Sequence, residues 1–383
     1  MTSPLPAFAA IVVASGSGSR AGGAKQWRRL GGKPVIRWSV EALLAAGSED
    51  LVVVIPQGAE AEAAEALAGL TGWRPAKGGA ARADSVRHGL AALGGQADRP
   101  VLIHDAARPL LDAAVIRRTL VALADADGAL PALPVADSLR RASDGFMDAA
   151  VERDGLWRAQ TPQAFLFGAI TDAYAAWPAD EVATDEATVV QRAGGRVRIV
   201  DGDPRLMKLT YPEDFAMAEA LIPRRTRVGQ GFDAHRWGPG SSVWLCGIEI
   251  AHDQTLIGHS DADAGLHALT DAILGAMGDG DIGDHFPPTD PQWKGASSDR
   301  FLVHAVERLH GRGGRLVNVD VTLICERPRV KPHRQAMRER LAALLSLPLD
   351  AVSVKATTTE AMGFTGRGEG LAAQAVATID LPA

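Results

Sequence analysis

The sequence predicts an α/β protein in two units, the first built on a mostly parallel sheet covered by helices on both faces. Three observations carry this expectation. Strand-like apolar runs alternate with helix-period segments through the first half. The polar stretch Pro223-Arg224-Arg225-Thr226-Arg227 interrupts the pattern and reads as a linker. The length of 383 residues suits two or three domains at about 150 residues each. The expected organisation is therefore residues 1–222, a linker at 223–227, and residues 228–383.

The elements follow in order. Apolar runs at 8–14, 51–55, 101–103, 128–135 and 197–200 read as strands. Segments near 34–47, 59–70, 83–93, 112–126 and 185–193 carry the helical period, and 211–222 reads as the last amphipathic helix of the first unit. The second unit opens a strand at Val228. Its strands are expected at 228–233, 243–250, 316–324, 352–357 and 372–379, with helices at 261–276, 298–310 and 332–346.

Composition narrows the function. With 40 basic and 46 acidic residues the net charge is −6, so the chain lacks the cationic excess of a general nucleic-acid binder. Two cysteines, Cys246 and Cys325, support neither a disulfide framework nor a Cys-rich zinc cluster, and both read as small core residues. The N-terminus has no basic residue before its apolar run, and no stretch approaches the ~18 apolar residues of a membrane span. A cytoplasmic enzyme that meets neither membrane nor nucleic acid is the expectation.

The first strand runs into Ser15-Gly16-Ser17-Gly18-Ser19-Arg20-Ala21. Backbone amides in such a loop cradle phosphate oxygens, because glycine permits close approach. Gly16, Gly18 and Ala21 also satisfy a dinucleotide fingerprint, but the second strand ends Ile55-Pro56-Gln57 without the acid that holds a ribose. Arg20 and Lys25 flank the loop instead, a pair suited to the negative charge that grows on a leaving pyrophosphate. Asp105, in His104-Asp105-Ala106-Ala107-Arg108-Pro109, falls at the end of a strand, where a carboxylate can hold Mg²⁺ beside phosphates. Ser85, in Arg82-Ala83-Asp84-Ser85, lies where a loop enters a helix and can meet a base or ribose.

In the second half, Asp233 and His235 are two apart and share a strand face. They read either as a polar pair or as two metal ligands. His267 would be a third, leaving one tetrahedral position open. Asp263, His267 and Asp271 share a helix face, so a carboxylate is expected to orient the second nitrogen of His267.

The motifs ASGSGSR, KQ, RADSV, HDAARP, TPQAF and TDEAT resemble 2-C-methyl-D-erythritol 4-phosphate cytidylyltransferase over about residues 8 to 222. The resemblance implies a Rossmann-like nucleotidyltransferase domain that joins CTP to methylerythritol phosphate and releases pyrophosphate. It implies that Arg20 and Lys25 stabilise the transition state, that Ser85 contacts cytidine and that Asp105 holds Mg²⁺. It also implies that Arg108, Ser138, Arg153, Thr161, Thr184 and Lys208 bind methylerythritol phosphate or complete its site. Ala80 stands where some members carry Asp, Ser138 replaces a frequent Thr, and the stretch from Arg20 to Lys25 is short.

GFDAH, GHSDAD, ALTDAILGA, GDIGDHFP, NVDVT and KATTTEAMGFTGRGEG resemble 2-C-methyl-D-erythritol 2,4-cyclodiphosphate synthase over about residues 226 to 382. This resemblance implies an α+β domain that forms trimers with active sites between neighbouring subunits. The implied reaction turns a cytidine diphosphate intermediate into the cyclic diphosphate and CMP. Asp233, His235 and His267 are the implied ligands of Zn²⁺ or another divalent cation, and Glu360 that of Mg²⁺. Asp281 matches a ribose contact, His259 and Ser260 the methylerythritol phosphate end, and Lys355, Ala356, Thr357 and Thr358 the cytidine-phosphate segment. Asp281 and Thr358 are counted among the catalytic positions, and Arg367 and Glu369 near the trimer axis. Pro288 occupies a position often acidic in the family.

The two implied steps are separated by a kinase, a candidate partner, and the chain shows no second phosphate loop of kinase character. A trimer joined to a dimerising transferase half would make a homo-oligomer as large as a hexamer. The rival readings are a nucleotide-dependent oxidoreductase and a non-catalytic scaffold.

Overall fold

Every residue of the strand Phe8–Val13 is buried, as a near-continuous apolar run requires of a strand covered on both faces. The computed structural model describes residues 5–178, 181–287, 293 and 295–383. The chain separates into two units, Met1–Ile222 and Pro223–Ala383. Pro288 lies outside the described residues.

In the first unit four parallel strands stand in the order Trp73–Lys77, Ser48–Ile55, Phe8–Val13, Pro100–Asp105. Alternation sorts their side chains. Ala10 and Val12 pack with Ile36, Val40 and Leu43 of the helix Val35–Ala45. Ala9, Ile11 and Val13 pack with Val86 and Leu90 of the helix Arg82–Leu93 on the opposite face. Each Val, Ile or Leu among them contributes about 1.5–3 kcal/mol when fully buried. The winding reverses at Phe8–Val13: the chain leaves it toward Ser48–Ile55 and returns to Pro100–Asp105 on its other side. A crevice therefore opens at the C-terminal ends, where Val13 lies level with Asp105.

Past Pro100–Asp105 the sheet turns mixed. Gln163–Leu166 runs antiparallel to it and to Gly128–Pro134, which also pairs with Trp157–Ala159 and, in parallel, with Val197–Asp201. The hydrophobic pattern does not announce Trp73–Lys77, Trp157–Ala159, Gln163–Leu166 or the helix Phe167–Ala176. The first two are short and largely exposed, so they carry no apolar alternation. A hairpin, Leu139–Ser143 with Phe146–Val151, is exposed along almost its whole length. Asp144 and Gly145 form its turn, both at positive φ, as a tight two-residue hairpin needs.

In the second unit the sheet order is Gln254–Ile257, Arg224–Pro239, Gly370–Pro382, Arg315–Ile324, Val352–Thr357. The expected linker is corrected here: Arg224 to Arg227 are already strand, laddered against Ile379 to Pro382. Their charges do not interrupt pairing because they lie at a sheet end, where Thr226 Oγ1 donates to Asp380 at 2.7 Å. The expected single strand 243–250 is a hairpin, Ser242–Leu245 with Ile248–Ala251, turning at Cys246 and Gly247, both at positive φ. The helices Ala264–Met277, Asp299–Gly311 and Arg334–Leu345 contribute buried residues to the core beside this sheet.

Candidate active sites

The crevice of the first unit is a cavity of about 470 Å³ lined by the loop from Ser15 to Ala21, Lys25, Arg82, Ser85, Asp105, Lys208 and Thr210. Gly18 sits at φ +67, and a Cβ there would lie 1.9 Å from the Gly23 carbonyl, so the turn admits only glycine. A Cβ on Gly16 would meet nothing within 4 Å. Its bare backbone is not needed for internal packing and leaves the loop open to a ligand. Ser85 Oγ lies 2.8 Å from Ser15 Oγ and accepts the Gly79 N–H at 3.0 Å, tying the loop to the helix.

Four cations, Arg20, Lys25, Arg82 and Lys208, line this cavity with a single carboxylate, Asp105. Lys208 donates to Asp105 Oδ2 at 2.6 Å and Arg82 to Oδ1 at 2.9 Å. Burial would raise the Asp105 carboxyl, but these two charges outweigh it and hold it far below the usual range. Arg82 also grips both oxygens of the buried Glu186, at 2.7 and 2.8 Å. Burial raises the Glu186 carboxyl in spite of that guanidinium. Burial, then the neighbouring Lys208 and Arg20, lower the Lys25 ammonium. Lys25 donates to the Leu209 carbonyl at 2.6 Å.

Gly16, Gly18, Arg20, Lys25, Ser85, Asp105 and Lys208 are thus gathered in one place. Ala80 lines the cavity as well. Arg108, Ser138, Arg153, Thr161 and Thr184 do not. Arg108 is turned to the carbonyls of Leu206, at 2.5 Å, and Ala159, at 3.3 Å. Thr161 is buried and accepts the Asp105 N–H at 3.0 Å. Arg153 bonds the Ala136 carbonyl beside the exposed Ser138. Thr184 donates to Thr188 Oγ1 at 3.3 Å. Arg82 is the residue that motif reading passed over, although it opens the same RADSV segment that supplied Ser85.

In the second unit Asp233, His235 and His267 come together, their ligand atoms all within 4.8 Å of one another. Asp233 Oδ2 lies 3.0 Å from His267 Nδ1 and 3.3 Å from His235 Nε2, and the two nitrogens are 3.3 Å apart. Burial works to raise the Asp233 carboxyl, but His267 and His235 hold it below its ordinary value. Burial lowers His235. Two imidazole nitrogens and one carboxylate oxygen pointed at a common centre are the donor set of a tetrahedral divalent site, with one position left for substrate.

The expected carboxylate partner for His267 is corrected. Asp263 faces away, accepting the N–H groups of Cys246, Gly247 and Leu266 at 2.8, 2.6 and 3.0 Å. Asp271 accepts the Ile282 N–H at 2.8 Å and so tethers the Asp281 loop beside the cluster. The second nitrogen of His267 instead meets Ser298 Oγ at 2.8 Å and Ser260 Oγ at 3.1 Å. His259, next to Ser260, is exposed and accepts the Gly295 N–H at its carbonyl, 2.7 Å.

The segment Lys355 to Glu360 lies elsewhere. Its strand is separated from the one bearing Asp233 and His235 by two others, three steps of about 4.8 Å or roughly 14 Å. Lys355 pairs with Asp320, and Thr358 Oγ1 donates to Glu360 Oε1 at 2.8 Å. Ala356 and Thr357 are exposed, and Arg367 bonds Glu369 at 2.6 Å. One copy of this chain does not bring these residues to the Asp233, His235 and His267 cluster.

Comparison with known proteins follows the same division. The family model described as 2-C-methyl-D-erythritol 4-phosphate cytidylyltransferase matches residues 8–224, and the YgbB family model matches residues 226–380. A protein of Caulobacter vibrioides named "Bifunctional enzyme IspD/IspF" is 65% identical over 381 residues, covering 98% of this chain and 100% of that protein. One of the same name from Erythrobacter litoralis is 53% identical over 386 residues, covering 100% and 99%. The solved structure of the bifunctional IspDF from Campylobacter jejuni is 31% identical with a TM-score of 0.51, covering 98% of this chain and 99% of that one.

Proposed function

The chain belongs to the bifunctional IspD/IspF enzyme family, and from that premise we propose how its residues divide the two reactions. It carries a cytidylyltransferase domain and a cyclodiphosphate synthase domain of the non-mevalonate isoprenoid pathway. No helix among the described residues is long and apolar enough to cross a membrane.

In the first reaction a phosphate oxygen of methylerythritol 4-phosphate attacks the α-phosphorus of CTP. The bond to the β-phosphate bridge breaks and pyrophosphate leaves. The observation that carries the assignment is the charge of the cavity: Arg82 and Lys208 are answered by Asp105 and Glu186, while Arg20 and Lys25 form no ion pair with a carboxylate among the described residues. A triphosphate supplies the missing anions, and the Gly16–Gly18 loop offers backbone amides to its oxygens. Arg20 and Lys25 would neutralise the charge that grows on the departing pyrophosphate. Lys208 would turn from Asp105 toward phosphate, leaving Asp105 oxygens for Mg²⁺. Ser85 would meet the cytidine. Arg108, Ser138, Arg153, Thr161 and Thr184 would shape or complete the methylerythritol phosphate end.

In the second reaction the 2-phosphate of the cytidine diphosphate intermediate attacks its own β-phosphorus, and CMP departs with the bridging oxygen. Asp233, His235 and His267 would hold a divalent cation, Zn²⁺ by the chemistry of the donors. Such an ion polarises a phosphate and fixes its orientation. Ser260 and His259 would engage the methylerythritol phosphate, and Asp281 the ribose. Lys355 to Thr358 would take the cytidine phosphates, and Glu360 a Mg²⁺. The roughly 14 Å between these groups and the cluster supports a site completed by a neighbouring copy, with the C-terminal unit as a trimer.

The test of the first assignment is pyrophosphate release from CTP and Mg²⁺ that depends on methylerythritol phosphate. Lys25→Ala is expected to lower kcat by ~10²–10³, the range for removing one donor to a developing anion. Unchanged turnover in Lys25→Ala would remove Lys25 from the transition state.

A further inference from the structure

The two histidines of the metal cluster are held differently at their outer nitrogens. His235 Nδ1 meets its neighbour's carbonyl, Ala234 O, at 3.0 Å. His267 Nε2 meets Ser298 Oγ at 2.8 Å, and Ser298 Oγ is in turn bonded to the Asp261 carboxylate. The other Asp261 oxygen accepts the Ser298 N–H at 3.0 Å. Ser298 is fully buried.

A serine hydroxyl has one proton to give. A carboxylate can only accept, so Ser298 donates to Asp261 and turns a lone pair to His267. The imidazole must then carry a proton on Nε2, so that Nδ1, which meets Asp233 Oδ2 at 3.0 Å, is the nitrogen left to offer its lone pair when a cation enters between them. That is the tautomer a cation bound at Nδ1 needs. Ser260 does not impose it. Its oxygen is more distant from His267, accepts the Ala262 N–H at 3.2 Å and lies 3.3 Å from Ser298 Oγ, and no carboxylate among the described residues fixes its proton.

We propose that Ser298 and Asp261 are positioning residues, a buried relay that fixes the tautomer and ring orientation of His267 and thereby tightens the metal cluster. The relay spans two segments remote in sequence. The Asp261 N–H donates to the Ala296 carbonyl at 3.2 Å and the Gly295 N–H to the His259 carbonyl at 2.7 Å, which holds its two ends together. The inference rests on Asp233, His235 and His267 being the metal ligands.

The test is a titration of the metal-free full chain with Zn²⁺ against a chromophoric chelator, and with Co²⁺ to read its visible bands. Ser298→Ala is expected to weaken Zn²⁺ binding by ~10–100-fold, the range for losing a partner that orients a ligand, and to alter the Co²⁺ bands. Asp261→Asn keeps an acceptor for the hydroxyl but loses the charge, and is expected to weaken binding by a smaller factor. Ser260→Ala is expected to weaken it by less than Ser298→Ala does. Thermal unfolding of the metal-free variants separates lost folding from lost affinity, and if Ser298→Ala does not fold, Asp261→Asn decides by the same measurements. Wild-type affinity and unchanged Co²⁺ bands in the folded variants would overturn the relay. A wild-type chain that binds neither ion would overturn the metal reading and the relay with it.

Discussion

His104, at the end of the strand Pro100–Asp105 where the HDAARP segment begins, is completely buried. Its Nε2 meets the Arg108 carbonyl at 3.0 Å, and its Nδ1 meets Thr161 Oγ1 at 3.1 Å. The carbonyl can only accept, so the proton sits on Nε2, and Thr161 donates to Nδ1 while accepting the Asp105 N–H. A neutral imidazole thus anchors the residue that faces the cavity. Burial pushes its pKa down to about 4 from 6.5. The unfolded chain takes up the proton below pH 6.5, whereas the folded unit takes it up only near 4. The contribution is therefore complete above pH 6.5 and falls away between 6.5 and 4, by about 3 kcal/mol in all. Asp105, held far below its ordinary value, loses its contribution only in a more acidic window. Urea denaturation from pH 7.5 to 4.5 should show the first unit weakening with acid. In His104→Asn the slope should be shallower by nearly one proton across the part of that range below pH 6.5. Equal slopes would mean that His104 is not the titrating group.

Between strand and helix, the Asp233, His235 and His267 cluster depends on two glycines. A Cβ on Gly229 would lie 2.0 Å from the Ala272 carbonyl, and one on Gly231 would lie 1.9 Å from the Ala268 carbonyl. Both collisions are with helix backbone, which cannot rotate aside. The strand Arg224–Pro239 therefore presses directly on the helix Ala264–Met277, and this contact sets His267 beside Asp233 and His235. Gly231→Ala is expected to cost ~1–3 kcal/mol or more through overpacking. It should also lower bound Zn²⁺ below wild-type stoichiometry, because it moves His267 away from its partners. Metal analysis with a thermal melt checks both, and full stoichiometry at wild-type stability would show that the helix can shift without cost. The same pair of elements shows what was legible beforehand. The i, i+2 spacing of Asp233 and His235 places both on one strand face, and the structure keeps them there. Nothing local in the sequence couples Ser298 to His267, because that contact is made by packing across 31 residues. The Asp263 and Asp271 expectation failed for a related reason. Sharing a helix face does not decide which neighbour a side chain meets, and Asp263 is claimed by the N–H groups of the Cys246–Gly247 turn.

At the scale of the whole chain, two chemistries are joined that do not share an intermediate. The first reaction ends with a cytidine diphosphate ester whose 2-hydroxyl is free. The second begins with that ester already phosphorylated at the 2-position, because the attacking group is a phosphate oxygen. One phosphoryl transfer stands between them and requires a donor. CTP is consumed at its α-phosphorus in the first unit, whose cavity holds its cations around a single carboxylate and one phosphate loop. The full chain supplied with methylerythritol phosphate, CTP and Mg²⁺ is therefore expected to release pyrophosphate and stop at the unphosphorylated ester. Adding a separate kinase and ATP should carry the reaction to the cyclic diphosphate, with CMP released in equal amount. Phosphorus NMR distinguishes the ester, its 2-phosphate and the cyclic product in one mixture. Cyclic diphosphate formed without the kinase would show that one of the two sites also transfers a phosphoryl group to the 2-hydroxyl, and the division of labour argued from the cavity and the metal cluster would have to be redrawn.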